Sequence, residues 1–300
     1  MPIRWYGTSD QEDPLYKHFS RIVNFTLHAM AFAAVNSTLW FLQEMRHPWT
    51  HLDLVTELWL LLLVGHLGFV IFKKVPTENN FIVKFANSIG SIRRTNFGEF
   101  FNVKSKPNPN DLAYTSLPLA PHTDNPYRNP VPCIQLLHCI ENEVSGGYST
   151  LVDGYTVTEK LKKDYPNYFK ILTEIKVKYQ FIDQDVVLED WSEMIKIDEN
   201  NNFKQVRFSP RLDFVPLMDK EKLDLYYAAR NKISELYNSD KYRLEFKLVP
   251  GDLLMMDNYR LLHGRTSYDA NEGNRFLQGC YIDYDSTEGK LKHLKRKYKI

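Results

Sequence analysis

The sequence predicts a mainly β fold with helical insertions, a β-sandwich or jelly roll. Three observations point there: short strand-like runs closed by Pro and Gly turns, only a few stretches with helical spacing, and no internal repeat or low-complexity segment. With 300 residues, 43% apolar and 25% charged, the chain can bury a sizeable core, which excludes a disordered or collagen-like protein. Lys and Arg total 38 against 37 for Asp and Glu, so the net charge of +1 gives no basis for nucleic-acid binding. Cysteines occur only at 133, 139 and 280. That is too sparse for a disulfide framework and points to a reducing, cytoplasmic setting.

Two regions are expected, a helical segment over 1–52 and a catalytic domain over 53–300. Residues 22–43 and 58–72 carry no charge, but Asn24, His28, Asn36, Ser37 and Thr38 interrupt the first run. A buried or amphipathic helix and a membrane-associated segment both stay open. The polar lead of Asp10, Glu12, Asp13 and Lys17 does not read as a secretory signal. From there 54–64 reads as helix and 69–72 as strand. Phe81, Ile82, Phe85 and Ile89 give 78–89 helical spacing, and the Pro- and Asn-rich 105–111 reads as loop. Strands are expected at 133–140 and 148–152 around Ser145-Gly146-Gly147, and a helix over 159–172 broken at Pro166. A longer helix follows at 219–237. Tyr242, Leu244, Phe246 and Leu248 alternate with charged residues, which predicts a half-buried strand. Pro250-Gly251-Asp252 turns into a strand at 253–256, and a last strand runs over 276–284. The six Lys and Arg residues in 290–299 predict a solvated helical tail.

The chemistry gathers at Pro121-His122-Thr123-Asp124. Two residues apart on an extended segment, His122 and Asp124 face the same side, where an imidazole and a carboxylate can grip one metal ion. His263, in Leu261-Leu262-His263-Gly264-Arg265, is the candidate third ligand. Two histidines and one carboxylate on one face leave three coordination positions open, an arrangement suited to non-haem Fe(II) and O2. Taken alone the motif is short, and a structural histidine is the common alternative. Arg275 follows His263 by twelve residues on the next strand-like run. Its planar fork suits a dicarboxylate cosubstrate, with a surface salt bridge as the alternative.

Several blocks in order resemble the γ-butyrobetaine and trimethyllysine hydroxylases within the taurine-dioxygenase-like superfamily. They are Arg93-Arg94-Thr95-Asn96-Phe97-Gly98-Glu99, Leu112-Ala113-Tyr114-Thr115, His122-Thr123-Asp124-Asn125-Pro126-Tyr127, Gln135-Leu136-Leu137-His138-Cys139, Asp257-Asn258-Tyr259-Arg260-Leu261-Leu262-His263-Gly264-Arg265, and Arg275 through Tyr281. The resemblance spans about 53–285 and implies a catalytic domain built as a double-stranded β-helix, a jelly roll. It implies Fe(II) held by His122, Asp124 and His263, with 2-oxoglutarate as cosubstrate clamped by Arg275 and Ser149. It also implies hydroxylation of an unactivated C–H bond with release of succinate and carbon dioxide. The positions matching the family's trimethylammonium cage are Phe97, Phe101, Tyr114 and Tyr281; two of them are Phe where the family usually has Tyr and Trp, and Phe97 and Phe101 also suit a core. A ring face attracts a quaternary ammonium that cannot donate hydrogen bonds.

Departures bear on the substrate. No cysteine-rich zinc module precedes residue 133. Asp111 stands where the butyrobetaine enzyme has an amide. Phe208-Ser209-Pro210-Arg211 lacks the family's paired asparagines, so Arg211 either holds a stronger anion such as a phosphonate or faces solvent. The partners implied are a small zwitterionic substrate, 2-oxoglutarate and O2. Another small acid as substrate, a catalytically silent binding module, a homodimer and a membrane contact through residues 20–72 all stay open. His28, His66, His138 and His293 read as structural or surface residues.

Overall fold

The computed structural model describes residues 68–104 and 114–298, with isolated helical positions at Ala29, Val35, Ser37 and Leu39. Two compact units are distinguished, Met1–Val70 and Ile71–Ile300, and the second carries the site. Apart from those four positions, the expectations for 22–43, 54–64 and 105–111, together with His28, His66 and Asp111, lie outside the described residues. Among the described residues no helix is long and apolar enough to cross a membrane. All three cysteines are buried free thiols.

The architecture is mainly β with few helices. A five-stranded sheet runs in the order β1 (Phe69–Phe72), β12 (Leu253–Asp257), β4 (Ile134–Asn142), β14 (Arg275–Ile282), β2 (Phe101–Val103). A four-stranded sheet runs β11 (Arg243–Phe246), β5 (Ser149–Asp153), β13 (Leu261–Arg265), β3 (Leu119–His122). Side chains of both sheets line one cavity: Gln135, Leu137 and Leu277 from the first, Ser149, His263 and Arg265 from the second. Helix α1 (Phe81–Ile89) buries Ile82 and Ala86 and packs against β14 and β4. Three helices, α2 (Gly154–Asp164), α3 (Pro166–Glu174) and α4 (Lys220–Asn238), share the main core with Val152 and Leu262 of the four-stranded sheet. Leu161, Leu172, Ile233 and Tyr237 are fully enclosed there.

Local chemistry explains these boundaries. Pro166 ends the preceding helix because it lacks an N–H and disfavours helical Tyr165, which sits at φ −137°; it then opens α3 at its first turn. Asp153 caps α2 by accepting from the Tyr155 N–H at 3.1 Å and the Thr156 hydroxyl at 2.8 Å. The same carboxylate takes a two-pronged contact from Arg260 at 2.9 and 2.8 Å. The basic C-terminal stretch forms α5 (Tyr284–Tyr298), which buries no residue, as a solvated tail should.

β11 is the edge of its sheet and half-buried as the alternation predicts: Leu248 is buried and Tyr242 and Phe246 are half-buried, while Leu244, 47% exposed, is the exception. A three-stranded sheet of β10 (Asp213–Phe214), β6 (Lys176–Asp183) and β7 (Val186–Glu193), and a two-stranded one of β8 (Ile195–Ile197) and β9 (Phe203–Val206), were not read from the sequence. In the β6–β7 hairpin Ile182 and Val187 point outward at 66% and 60% exposure, which blurs the alternation that marks a half-buried strand.

Close approach of β3 to β13 needs Gly264. A Cβ there would stand 2.4 Å from the Leu119 carbonyl oxygen and 2.8 Å from the Thr150 hydroxyl. Gly264→Ala should lower stability by about 1–3 kcal/mol, a melting-temperature drop on the order of 3–10 °C. Gly289→Ala, on open helix surface with nothing within 4 Å, should leave the melting temperature unchanged or raise it. Thermal unfolding of the two variants checks this.

Candidate active site

The antiparallel register sets His263 of β13 directly opposite His122 of β3. Opposed residues in such a pair share a face, and the two rings lie 4.4 Å apart. β3 stops at His122, so Asp124 is not on the strand as the sequence suggested. It lies in the turn that follows, where Asn125 adopts φ 52°. Asn258 makes that turn. Its Oδ1 accepts the Asp124 N–H at 2.8 Å, and its Nδ2 donates to the carbonyls of Asp124 at 3.0 Å and Pro132 at 2.9 Å. The Thr123 N–H donates to Phe208 O at 2.8 Å, fixing the same segment from the other side.

Asp124 Oδ1 lies 3.3 Å from His122 Nε2 and 3.8 Å from His263 Nε2. The three ligand atoms fall within 4.8 Å of one another. The other oxygen is tethered: Gln135 Nε2 donates to Oδ2 at 2.6 Å and the Tyr281 hydroxyl at 2.7 Å. His122 Nδ1 sits 2.9 Å from Ala120 O, so it carries the proton and leaves the Nε2 lone pair facing the cluster. His263 has no such tether among the described residues. Burial pushes the His263 imidazole down to about 4, opposed by Asp124 and aided by His122, so it is neutral at neutral pH. Burial alone would raise the Asp124 carboxyl, but the two histidines and the Tyr281 hydroxyl outweigh it and hold it well below the ordinary carboxylate range. One anionic carboxylate and a neutral imidazole beside a second imidazole form a donor set that fits a divalent first-row metal.

Two cavities meet at this cluster, and both are lined by Phe101, Leu119, His122 and Asp124. The first continues to Ser149, Arg265 and Arg275. Arg275 is 8% exposed, and its Nε has no hydrogen-bond partner. Its one hydrogen bond among the described residues is a long contact of 3.4 Å to Gly147 O, and no carboxylate pairs with it there. Burial and the nearby Arg265 guanidinium lower its pKa to about 10. Two buried cations beside one cavity fit an anionic guest. The second cavity is aromatic: Phe97, Phe101, Tyr114, Tyr127, Phe181 and Tyr281 line it. Ser209 and the exposed Arg211 also line it. His138 is buried away from the cluster and His293 is exposed on α5, both apart from the site.

The family model for taurine catabolism dioxygenase TauD, TfdA family matches residues 40–281. The chain belongs to the TauD/TfdA family. It is 33% identical over 236 residues to a gamma-butyrobetaine dioxygenase of a Pseudomonas species, covering 79% of this chain and 62% of that protein. It is 35% identical over 229 residues to the gamma-butyrobetaine dioxygenase of Homo sapiens, covering 72% and 57%. The chain thus spans about three fifths of the length of these curated relatives, 62% and 57%. Among solved structures, an asparagine oxygenase in complex with Fe(II), hydroxyasparagine and succinate superposes with a TM-score of 0.58 at 14% identity, covering 72% of this chain and 74% of that one. That likeness places the TauD/TfdA chain in the same fold.

Sequence reasoning assigned no role to Gln135, Asn258, Tyr127 or Phe181. Gln135 carried a signal: a polar residue inside the apolar run Ile134 to Ile140 needs a buried partner. Its partner is Asp124. Removing either tether should loosen the carboxylate. Gln135→Leu and Tyr281→Phe should each weaken metal binding about 10- to 100-fold, with a melting-temperature change smaller than that of Gly264→Ala. Anaerobic titration with Co(II), read by its visible absorption, measures the loss.

Proposed function

We propose that this chain is an Fe(II)- and 2-oxoglutarate-dependent hydroxylase acting on a small zwitterion that ends in a trimethylammonium group. The observation that carries the reading is the placement of the His122–Asp124–His263 cluster where a cavity with a buried, unpaired guanidinium meets a cavity walled by aromatic rings. The gamma-butyrobetaine dioxygenases among the relatives support it. In this reading residues 53–300 are the catalytic unit, and the four- and five-stranded sheets are the two halves of a double-stranded β-helix.

The ferrous ion would be held by His122 Nε2, Asp124 Oδ1 and His263 Nε2. Together with 2-oxoglutarate and O2, it supplies the oxidising power that places a hydroxyl on an unactivated C–H bond as the cosubstrate becomes succinate and carbon dioxide. The chain supplies position. Arg275 offers its fork to the far carboxylate of the cosubstrate, with the Ser149 hydroxyl in the same cavity. Phe97, Phe101, Tyr114 and Tyr281 present ring faces to the cationic head. Ser209 and Arg211 stand ready for the anionic end. Phe101 and Leu119 border both cavities, so substrate and cosubstrate would meet at the cluster.

Succinate formation with γ-butyrobetaine and with 5,5-dimethylhexanoate, its isostere carrying a neutral tert-butyl head, tests the reading. The cation should be turned over at least about tenfold more efficiently, the value expected of several ring faces acting together. Equal turnover of both removes the cage and leaves a hydroxylase of small acids. Succinate from neither, with no visible band from anaerobic Fe(II) plus 2-oxoglutarate, would indicate a binding module. Arg275→Ala should raise the 2-oxoglutarate requirement by at least about tenfold, since a charge-assisted contact is worth roughly 1.5–3 kcal/mol. An unchanged requirement would move the clamp elsewhere.

A further inference from the structure

The β6–β7 hairpin brings a residue to the aromatic cavity that lies far in sequence from the other rings. Alternation along β6 puts Val177, Tyr179 and Phe181 on one face. Val177 and Tyr179 are fully buried, and Phe181, half-buried, is where that face emerges at the cavity. Its ring stacks on Tyr127 at 5.0 Å between centroids and 19° between planes, and meets Phe97 edge-on at 5.7 Å. Phe97 in turn meets Phe101 at 6.5 Å, and Phe101 meets Tyr281 at 5.3 Å. The result is a continuous row, Tyr127–Phe181–Phe97–Phe101–Tyr281, that ends on the hydroxyl bound to Asp124.

The hairpin holds that ring rigidly. The Tyr179 hydroxyl donates to Arg207 O at 2.7 Å, and the Gln180 N–H donates to Leu212 O at 3.0 Å. Arg207 pairs with Asp190 on β7 at 2.5 Å and donates to Pro126 O at 3.1 Å. Arg230 on α4 grips Asp213 on β10 with two contacts of 2.6 and 2.7 Å. These contacts hold the backbone on which Phe181 stands, and the Tyr127 stack and the Phe97 edge set the position of its ring.

We propose that Phe181 is a specificity-determining residue, a ring face supplied by the hairpin that selects a trimethylammonium head over a neutral group of the same shape. The proposal rests on the reading of the aromatic cavity given under Proposed function. It assigns selection not only to the rings around β2 and β14 but also to a three-stranded sheet outside the two main sheets. The hairpin is then a part of the fold through which head-group preference can change without touching the metal cluster.

Calorimetric binding of γ-butyrobetaine and 5,5-dimethylhexanoate to the full chain, loaded anaerobically with Fe(II) and 2-oxoglutarate, tests it. Phe181→Leu keeps apolar volume and removes the π face. It should weaken the cation about 5- to 20-fold and change the isostere less than about twofold, while Phe181→Tyr keeps the wild-type ratio. A wild-type chain that discriminates, with an unchanged ratio or equal losses for both ligands in Phe181→Leu, overturns the role of Phe181 and leaves the cage reading standing. A wild-type chain that does not discriminate overturns the cage reading itself and this proposal with it. As a check independent of variant folding, γ-butyrobetaine N-methyl protons should show a nuclear Overhauser effect to the Phe181 ring in the unaltered protein; its absence also overturns the assignment.

Discussion

One carboxylate joins the two largest sheets. Asp124 turns one oxygen to His122 and His263, both on the four-stranded sheet, and the other to Gln135 and Tyr281, both on the five-stranded sheet. A buried anion is costly unless every lone pair is answered. Here the answers come from opposite walls of the cavity, so the same contacts that keep Asp124 ionised also fix the spacing of the walls. The register of β3 on β13 and the Asn258 clamp on the turn serve this single requirement.

The division of the interior follows from where each sheet carries polar groups. Arg275 and Ser149 sit toward one end of the cavity system, the aromatic rings toward the other, and the cluster lies between. A guanidinium enclosed without a carboxylate is unfavourable in the protein alone and becomes favourable when an anion fills the space. An aromatic wall is indifferent to anions and favours cations through its ring faces. Two guests of different chemistry can therefore reach one centre without competing for the same surface.

Much of this was legible in the sequence, and the parts that were not share physical causes. That His122, Asp124 and His263 come together, with Arg275 on the adjoining cavity, was readable because the order and type of these residues are restricted. The helix break at Pro166 was readable because proline acts locally. The sequence pattern misplaced Asp124 on the strand, because the clamp that bends it comes from Asn258, 134 residues away. Phe181 and Tyr127 were hidden for a related reason: their value lies in stacking across distant segments, and outward-facing Ile182 and Val187 obscured the hairpin. The alternation from Tyr242 to Leu248 was legible because a half-buried strand imposes it locally, and Leu244 alone departs from it at the sheet edge.

The central claim is that three side chains from distant segments converge on one ion beside a seat for a dicarboxylate. A crystal structure of the full chain, grown without oxygen in Mn(II) and 2-oxoglutarate, tests it most directly. The account predicts a single metal bound by His122 Nε2, Asp124 Oδ1 and His263 Nε2, with the far carboxylate of 2-oxoglutarate against Arg275. Metal bound elsewhere, or a dicarboxylate that leaves Arg275 uncontacted, would contradict it.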